Sequence, residues 1–206
     1  MKTLKFIISG LLVAVIAAGS AFSQQMDELE VGSKAPLIDK KMEDVSGDKI
    51  SLQDATQKNG LVVIFSCNTC PWVDRWEDRY PMISEITREN EVGMIAINSN
   101  EAYRKKGDSM DDMKKRASKM NYDFAYALDR NHEIADAFGA TRTPHVYLFN
   151  GDMELVYVGA IDDNAKDANA VDSFYLKKAI EQMVLGKKVE TPNTKSLGCT
   201  IKRVSD

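Results

Sequence analysis

Apolar positions fall into short runs separated by polar and turn-forming residues. Leu61-Val62-Val63-Ile64-Phe65 is continuous, β-branched and aromatic, which predicts a strand buried on both faces. Val92 to Ile97 repeats that pattern, and Phe124 to Leu128, Val146 to Phe149 and Leu155 to Val158 predict three more strands. Asn150-Gly151-Asp152 between the last two is a hairpin signal. Earlier in the chain, Ala35 to Ile38 and Lys49 to Leu52 read as extended pieces joined through the turn Ser46-Gly47-Asp48.

Helical periodicity fills the gaps. Met110, Met113, Ala117 and Met120 recur at spacings of three, four and three, which predicts an amphipathic helix over 108–121. A charged helical stretch is expected from about Asn68 to Asn90, kinked at Pro81. His132 to Phe138 predicts a short helix closed by Gly139, and Leu176, Ile180 and Met183 mark a last helix ending at Gly186. The order is a hairpin, then β-α-β-α-β-α-β-β-α. It predicts an α/β fold with a central mixed sheet flanked by helices and an N-terminal β-hairpin extension.

The first residues stand apart. Lys2 and Lys5 precede an apolar run, Phe6 to Ala18, and the small residues Gly19, Ser20 and Ala21 lead into Ser23-Gln24. That is the order of a secretory signal peptide, and the run is shorter than the about 20 residues of a bilayer span. The expected organisation is a signal over 1–23 cleaved after Ser23 or Ala21, a tether over 24–30, one domain over 31–186 and a tail over 187–206. An uncleaved anchor is the alternative; either way the domain is exported, to the periplasm or outside, and the mature form needs no membrane. The chain of 206 residues is long enough for one domain with a real core. With 27 basic and 31 acidic residues and no basic patch, the composition argues against a nucleic-acid partner.

Export changes how the three cysteines, Cys67, Cys70 and Cys199, are read, because thiols outside the cytosol tend to oxidise. Cys67-Asn68-Thr69-Cys70 follows the first buried strand and opens the charged helix. A strand feeding a helix there puts Cys67 at the helix N-terminus and Cys70 one turn on. Exposed amides and the dipole would then favour a thiolate at Cys67, with Cys70 placed to resolve a mixed disulfide. A structural bridge across three residues closes too short a loop to stabilise much. A zinc site needs two more ligands from Cys199, His132 and His145, and no second Cys-x-x-Cys occurs. No cofactor is called for. Cys199 itself reads as a second resolving thiol, a ligand, an intermolecular bridge or a spare, on a tail that could fold back over the site.

Several segments carry a resemblance. From Val31 to Leu185 the chain resembles the thioredoxin-like superfamily. Its opening, VGSKAPLIDKKMEDVSGDKISLQD, is similar to redoxins and to the alkyl hydroperoxide reductase/thiol-specific antioxidant family. GAIDDN and LGCTIKR are similar to a peroxiredoxin-like subgroup. CNTC matches the family's redox position, and TRTPHVYLFN resembles the loop in which a cis-proline faces the cysteines. The resemblance implies Cys67 as nucleophile, Cys70 as resolving thiol, Pro144 as the cis-proline, and Thr143 offering backbone groups to an extended partner peptide. It implies a thiol–disulfide oxidoreductase whose partners are protein thiols or disulfides and a separate reductant or oxidant.

The sequence departs from the family in identifiable places. Ser66 stands where thioredoxins carry Trp, Asn68-Thr69 replaces Gly-Pro, and Leu61 to Phe65 holds no buried acid. Asp74 or Glu77 could supply that acid, although charges there more often form a solvated face. A Pro-x-x-x-Thr-x-x-Cys peroxidatic frame fits neither Cys67 nor Cys70, so a peroxiredoxin-like thiol peroxidase with antioxidant activity is the alternative, and a Cys/His metal-binding module ranks below it. Arg142 reads as surface charge. His145, next to Pro144, reads as a half-buried strand residue or an accessory proton carrier beside the cysteines. Trp72 and Trp76 read as shield, partner surface or core. Asp162-Asp163-Asn164 reads as a cap or turn.

Overall fold

The computed structural model describes residues 27–204. The expected signal peptide and its cleavage site lie outside the described residues. Among those described, no helix is long and apolar enough to cross a membrane.

In chain order the elements are β1 (Met42–Asp44), β2 (Lys49–Ile50), α1 (Leu52–Ala55), β3 (Gly60–Ser66), α2 (Pro71–Trp76), α3 (Tyr80–Glu89), β4 (Val92–Asn98) and α4 (Met110–Met120). They continue with β5 (Ala125–Leu128), α5 (Glu133–Ala137), β6 (Arg142–Thr143), β7 (His145–Asn150), β8 (Leu155–Gly159), α6 (Tyr175–Val184) and β9 (Cys199–Thr200). Seven strands form one mixed sheet in the order β2-β1-β5-β4-β3-β7-β8. β3, β4 and β5 run parallel; β7 joins β3 antiparallel, and β8 joins β7 antiparallel. A separate two-stranded sheet pairs β6 with β9.

The run at 61–65 is apolar at every position because both faces are covered. Leu61, Val63 and Phe65 pack with Ile134, Phe138, Tyr147 and Phe149. Val62 and Ile64 point the other way, onto Trp76, Tyr80, Ile83, Leu176 and Ile180 of the helices opposite. In α4, Met113 and Ala117 supply the buried stripe against Tyr126 and Leu128, with Ser109 and Asp112 forming a capping box at its start.

Three expectations need correction. The first strand of the N-terminal hairpin is Met42–Asp44, not 35–38; the turn through Ser46-Gly47-Asp48 is where the sequence put it, but Leu52 already begins a helix capped by Ser51. The stretch 68–90 is two helices joined by a 3-10 turn at Glu77–Arg79, with Pro81 in the first turn of the second helix. The tail, which has no period, nonetheless contributes β9, because two residues are too short to show an alternation. Within the expected tether, the Leu29 N–H donates to Phe138 O at 3.0 Å, and its side chain packs on the core.

Candidate active site

β3 ends at Ser66, and the helix does not begin at Asn68 as expected. Asn68 and Thr69 form a loop, Cys70 is the N-cap of α2 and Pro71 takes its first position, where a missing N–H costs nothing. Cys67 therefore precedes the helix by a full loop. The Ser66 hydroxyl is buried and shares a hydrogen bond with Tyr80 Oη at 3.0 Å.

The loop is held by a carboxylate absent from the sequence reading. Asp108 is fully buried and accepts four hydrogen bonds. Oδ1 takes the Asn68 N–H at 2.7 Å and Asn98 Nδ2 at 2.9 Å; Oδ2 takes the Thr69 hydroxyl at 2.7 Å and Asn100 Nδ2 at 3.0 Å. A carboxylate so saturated is a positioning residue for the loop. Of the two acids considered for the family's buried acid, Glu77 is buried, pairs with Arg116 and accepts the Tyr122 hydroxyl, while exposed Asp74 pairs with the same arginine.

Opposite the loop, the Thr143–Pro144 bond is cis. Cys67 Sγ lies 3.3 Å from Thr143 Oγ1, and Cys70 Sγ lies 3.2 Å from Thr143 O. Cys67, Cys70 and Val73 form one buried cluster, with Cys199 and half-buried Trp72 packed against it. The bonded pair is Cys70–Cys199, with Cα atoms 6.0 Å apart; Cys67 is a free thiol, 1% exposed. The expected Cys67–Cys70 couple is thus not the disulfide present, because β9 brings Cys199 to the same threonine.

The expected thiolate at Cys67 is also reversed. Burial pushes the Cys67 thiol up from its ordinary value and the Asp108 charge adds to this, while the Thr143 hydroxyl and the Thr69 and Cys70 amides pull the other way. At neutral pH the resting group is the thiol.

His145 packs on the Tyr147 side of β7. It is 1% exposed; its ring lies 4.7 Å from that of Tyr147, Nδ1 is 3.4 Å from the Tyr147 hydroxyl and Nε2 is 3.6 Å from Glu28. It is buried rather than half-buried, and its polar contacts are with Tyr147 and Glu28. His132 pairs with Asp136 at 2.6 Å, and among the described residues no cluster of three or more His, Cys, Asp or Glu side chains could hold a metal. Arg142 is exposed and donates to Gly198 O at 3.2 Å, and Asp162 is buried, pairing with Arg79 at 3.2 Å and accepting the Asn164 N–H in a turn.

Burial, with Arg142 nearby, lowers the His145 pKa to about 4. An unfolded histidine titrates near 6.5, so the unfolded chain binds the extra proton first as pH falls. Stability is therefore complete above about 6.5 and is lost progressively towards pH 4, by on the order of 3 kcal/mol. Urea unfolding at pH 7 and pH 4 should show His145→Gln losing less stability across that interval than the parent; an identical loss contradicts the assignment.

Comparison with known proteins fits this geometry. The AhpC/TSA family model matches residues 31–158. An uncharacterized conserved protein from Geobacillus kaustophilus is 30% identical, with 86% of this chain and 94% of that one covered at a TM-score of 0.78. Two more distant structures share the fold. The peroxidoxin BcpB from Mycobacterium tuberculosis is 16% identical at a TM-score of 0.58, covering 76% of this chain and 97% of that one. The thioredoxin domain of a thiol-disulfide oxidoreductase from Bacteroides vulgatus is 17% identical at 0.54, covering 65% and 90%. A search of curated proteins returned no match. With a family match across most of its domain and a thioredoxin-like fold beneath it, the chain belongs to the AhpC/TSA family.

Proposed function

We propose that the protein is an exported thiol–disulfide oxidoreductase acting on protein partners, with Cys67 as the attacking sulfur. The observation that carries this reading is the convergence of Cys67, Cys70 and Cys199 on Thr143, beside a cis-proline. Once a separate reductant has opened Cys70–Cys199, Cys67 attacks a partner disulfide, joins one partner sulfur and releases the other as a thiol; the freed Cys70 then displaces the bound partner sulfur and closes Cys67–Cys70. Thr143 steadies the attacking sulfur through its hydroxyl, and Trp72 borders the cluster on the side a partner would approach.

Electron flow follows from the same burial. A thiol held above its ordinary pKa is a poor leaving group once it is part of a disulfide, so the reduced form gains little from ionisation and gives up its electrons readily. We read the protein as a reductant of partner disulfides. Equilibration of the protein with thiol buffers of known potential checks this.

Peroxidase activity is weaker support for the same site. Family membership and the peroxidoxin neighbour favour it, but a Pro-x-x-x-Thr-x-x-Cys peroxidatic frame fits neither Cys67 nor Cys70.

The trapping experiment requires two substitutions. Cys70→Ser alone leaves Cys199 beside Cys67, and the two would close on each other. Cys70→Ser with Cys199→Ser should accumulate partner proteins disulfide-linked at Cys67 in the exported fraction, and adding Cys67→Ser should empty the trap. Equal capture with and without Cys67 refutes the reading.

A further inference from the structure

The tail crosses the site between two anchors. On one side the Val158 N–H donates to Pro192 O at 2.9 Å, and the Thr194 N–H donates to Val158 O at 3.0 Å. On the other, Ile201 is buried and its N–H donates to Thr141 O at 3.0 Å; the Lys202 N–H donates to Asn100 Oδ1 at 2.8 Å. The Arg203 guanidinium reaches Asp136 at 2.8 Å and Ala140 O at 2.6 Å. Between the anchors, residues 195–200 form a strap of half-buried and exposed residues.

The strap is held to the site by few contacts. β9 pairs with β6 in the register Arg142↔Thr200 and Thr143↔Cys199, Arg142 caps Gly198 O, and the Cys70–Cys199 bond closes the contact. Among the described residues β6 has no other strand partner, so the strap fills the edge at Thr143. Gly198 fits there because of its size. A Cβ at that position would stand 2.3 Å from Thr143 O and 2.6 Å from its carbonyl carbon, a distance no side chain tolerates.

We propose that Gly198–Thr200 is a tethered substrate: an extended Gly-Cys strand docked on Thr143, released when Cys67 exchanges onto Cys70, so that tail and partner occupy the same edge in turn. The Cys67 sulfur, having lost its proton, attacks Cys70 Sγ. The Cys67–Cys70 bond forms as Cys70–Cys199 breaks, and the electron pair leaves on the Cys199 sulfur, which takes up a proton. One disulfide and one thiol enter and one of each leave, so no outside oxidant or reductant is required. The strap then lifts between its anchors, and once a separate dithiol reductant has opened Cys67–Cys70, an extended partner segment with glycine before its cysteine takes the vacated register. Cys67 and Cys70 already share one buried cluster with Cys199, so the exchange needs no large movement.

This inference rests on the proposed exchange chemistry of Cys67, but its test uses the isolated protein and no partner. The oxidised chain is incubated with iodoacetamide at pH 8 without reductant, acid-quenched and mapped by peptide mass. The expected result is carbamidomethyl on Cys199 with a Cys67–Cys70 bond, and no label on Cys199 in Cys67→Ser. Label on Cys67 with Cys70–Cys199 intact overturns the exchange, as does no label at all. The docking half is read with a disulfide-linked homodimer of the peptide Lys-Ser-Leu-Gly-Cys-Thr-Ile-Lys, reduced by the reduced protein. Replacing its glycine with alanine should slow reduction at least about tenfold, and equal rates overturn the shared register. If partner trapping fails while label reaches Cys199, the proposed function is wrong and the tethered strand stands; the reverse pattern removes the strand alone.

Discussion

Cys67→Ser is expected to lower the rate of protein-disulfide reduction by at least about 1,000-fold, because it removes the attacking sulfur rather than a supporting contact. Cys67 is the free thiol of the three, while Cys70 and Cys199 are joined to each other. A serine hydroxyl at position 67 has no nearby base, since the saturated Asp108 accepts from four other donors. The substitution is close to isosteric, and the Thr143 hydroxyl remains available to the new oxygen, so stability should move by less than about 1 kcal/mol. Insulin reduction followed by turbidity reads the first quantity, and urea unfolding reads the second. A Cys67→Ser protein that still reduces insulin would move the nucleophile to another cysteine. Cys199→Ser, by contrast, should keep most of the activity, since Cys67 and Cys70 both remain.

Asp108→Ala should be the most damaging substitution for the fold of the site. It leaves the half-buried Asn68 N–H and Thr69 hydroxyl and the buried Asn100 amide without their acceptor, while Asn98 Nδ2 keeps the Tyr126 hydroxyl at 3.2 Å. Each unpaired buried donor costs about 1–3 kcal/mol, and neighbouring losses overlap, so a total of about 3–5 kcal/mol is expected in urea unfolding. Asp108→Asn keeps one acceptor oxygen and turns the other into an NH2 facing two of the same donors, so it disturbs the loop less than alanine while removing the charge. It keeps the volume and loses the negative charge that raises Cys67, so the Cys67 thiol should become more acidic. Thiolate absorbance against pH, read with Cys70 and Cys199 both replaced by serine, should shift to lower pH in Asp108→Asn. An unchanged titration would mean that Asp108 acts on the loop alone.

The sheet was legible because its central strands are buried on both faces, which leaves an unbroken apolar run at 61–65 and again at 92–97. The turns at Ser46-Gly47-Asp48 and Asn150-Gly151-Asp152 were legible from residue type. The site was legible in part: the cysteine pair after a strand and the Thr143-Pro144 loop came from spacing and resemblance, and the fold brings them together.

What was missed has physical reasons. The helix begins later than expected because the Asn68 N–H and the Thr69 hydroxyl are committed to Asp108, a residue that in sequence reads only as the first of the helix expected over 108–121. The Cys70–Cys199 bond spans 129 residues, and its tail enters by a two-residue strand with no period. His145 could have been placed correctly: strict alternation along β7 puts it with Tyr147 and Phe149 on the Phe138 side.

The most direct measurement of the central claim is a single-turnover reaction of fully reduced wild-type protein with one equivalent of an oxidised protein substrate. Samples are acid-quenched from milliseconds onward, alkylated and mapped by peptide mass. The account predicts that the first mixed disulfide is on Cys67 and that it gives way to an internal disulfide including Cys70 as the substrate thiol is released. A first mixed disulfide on Cys70 or Cys199, with Cys67 still a thiol throughout, would contradict it.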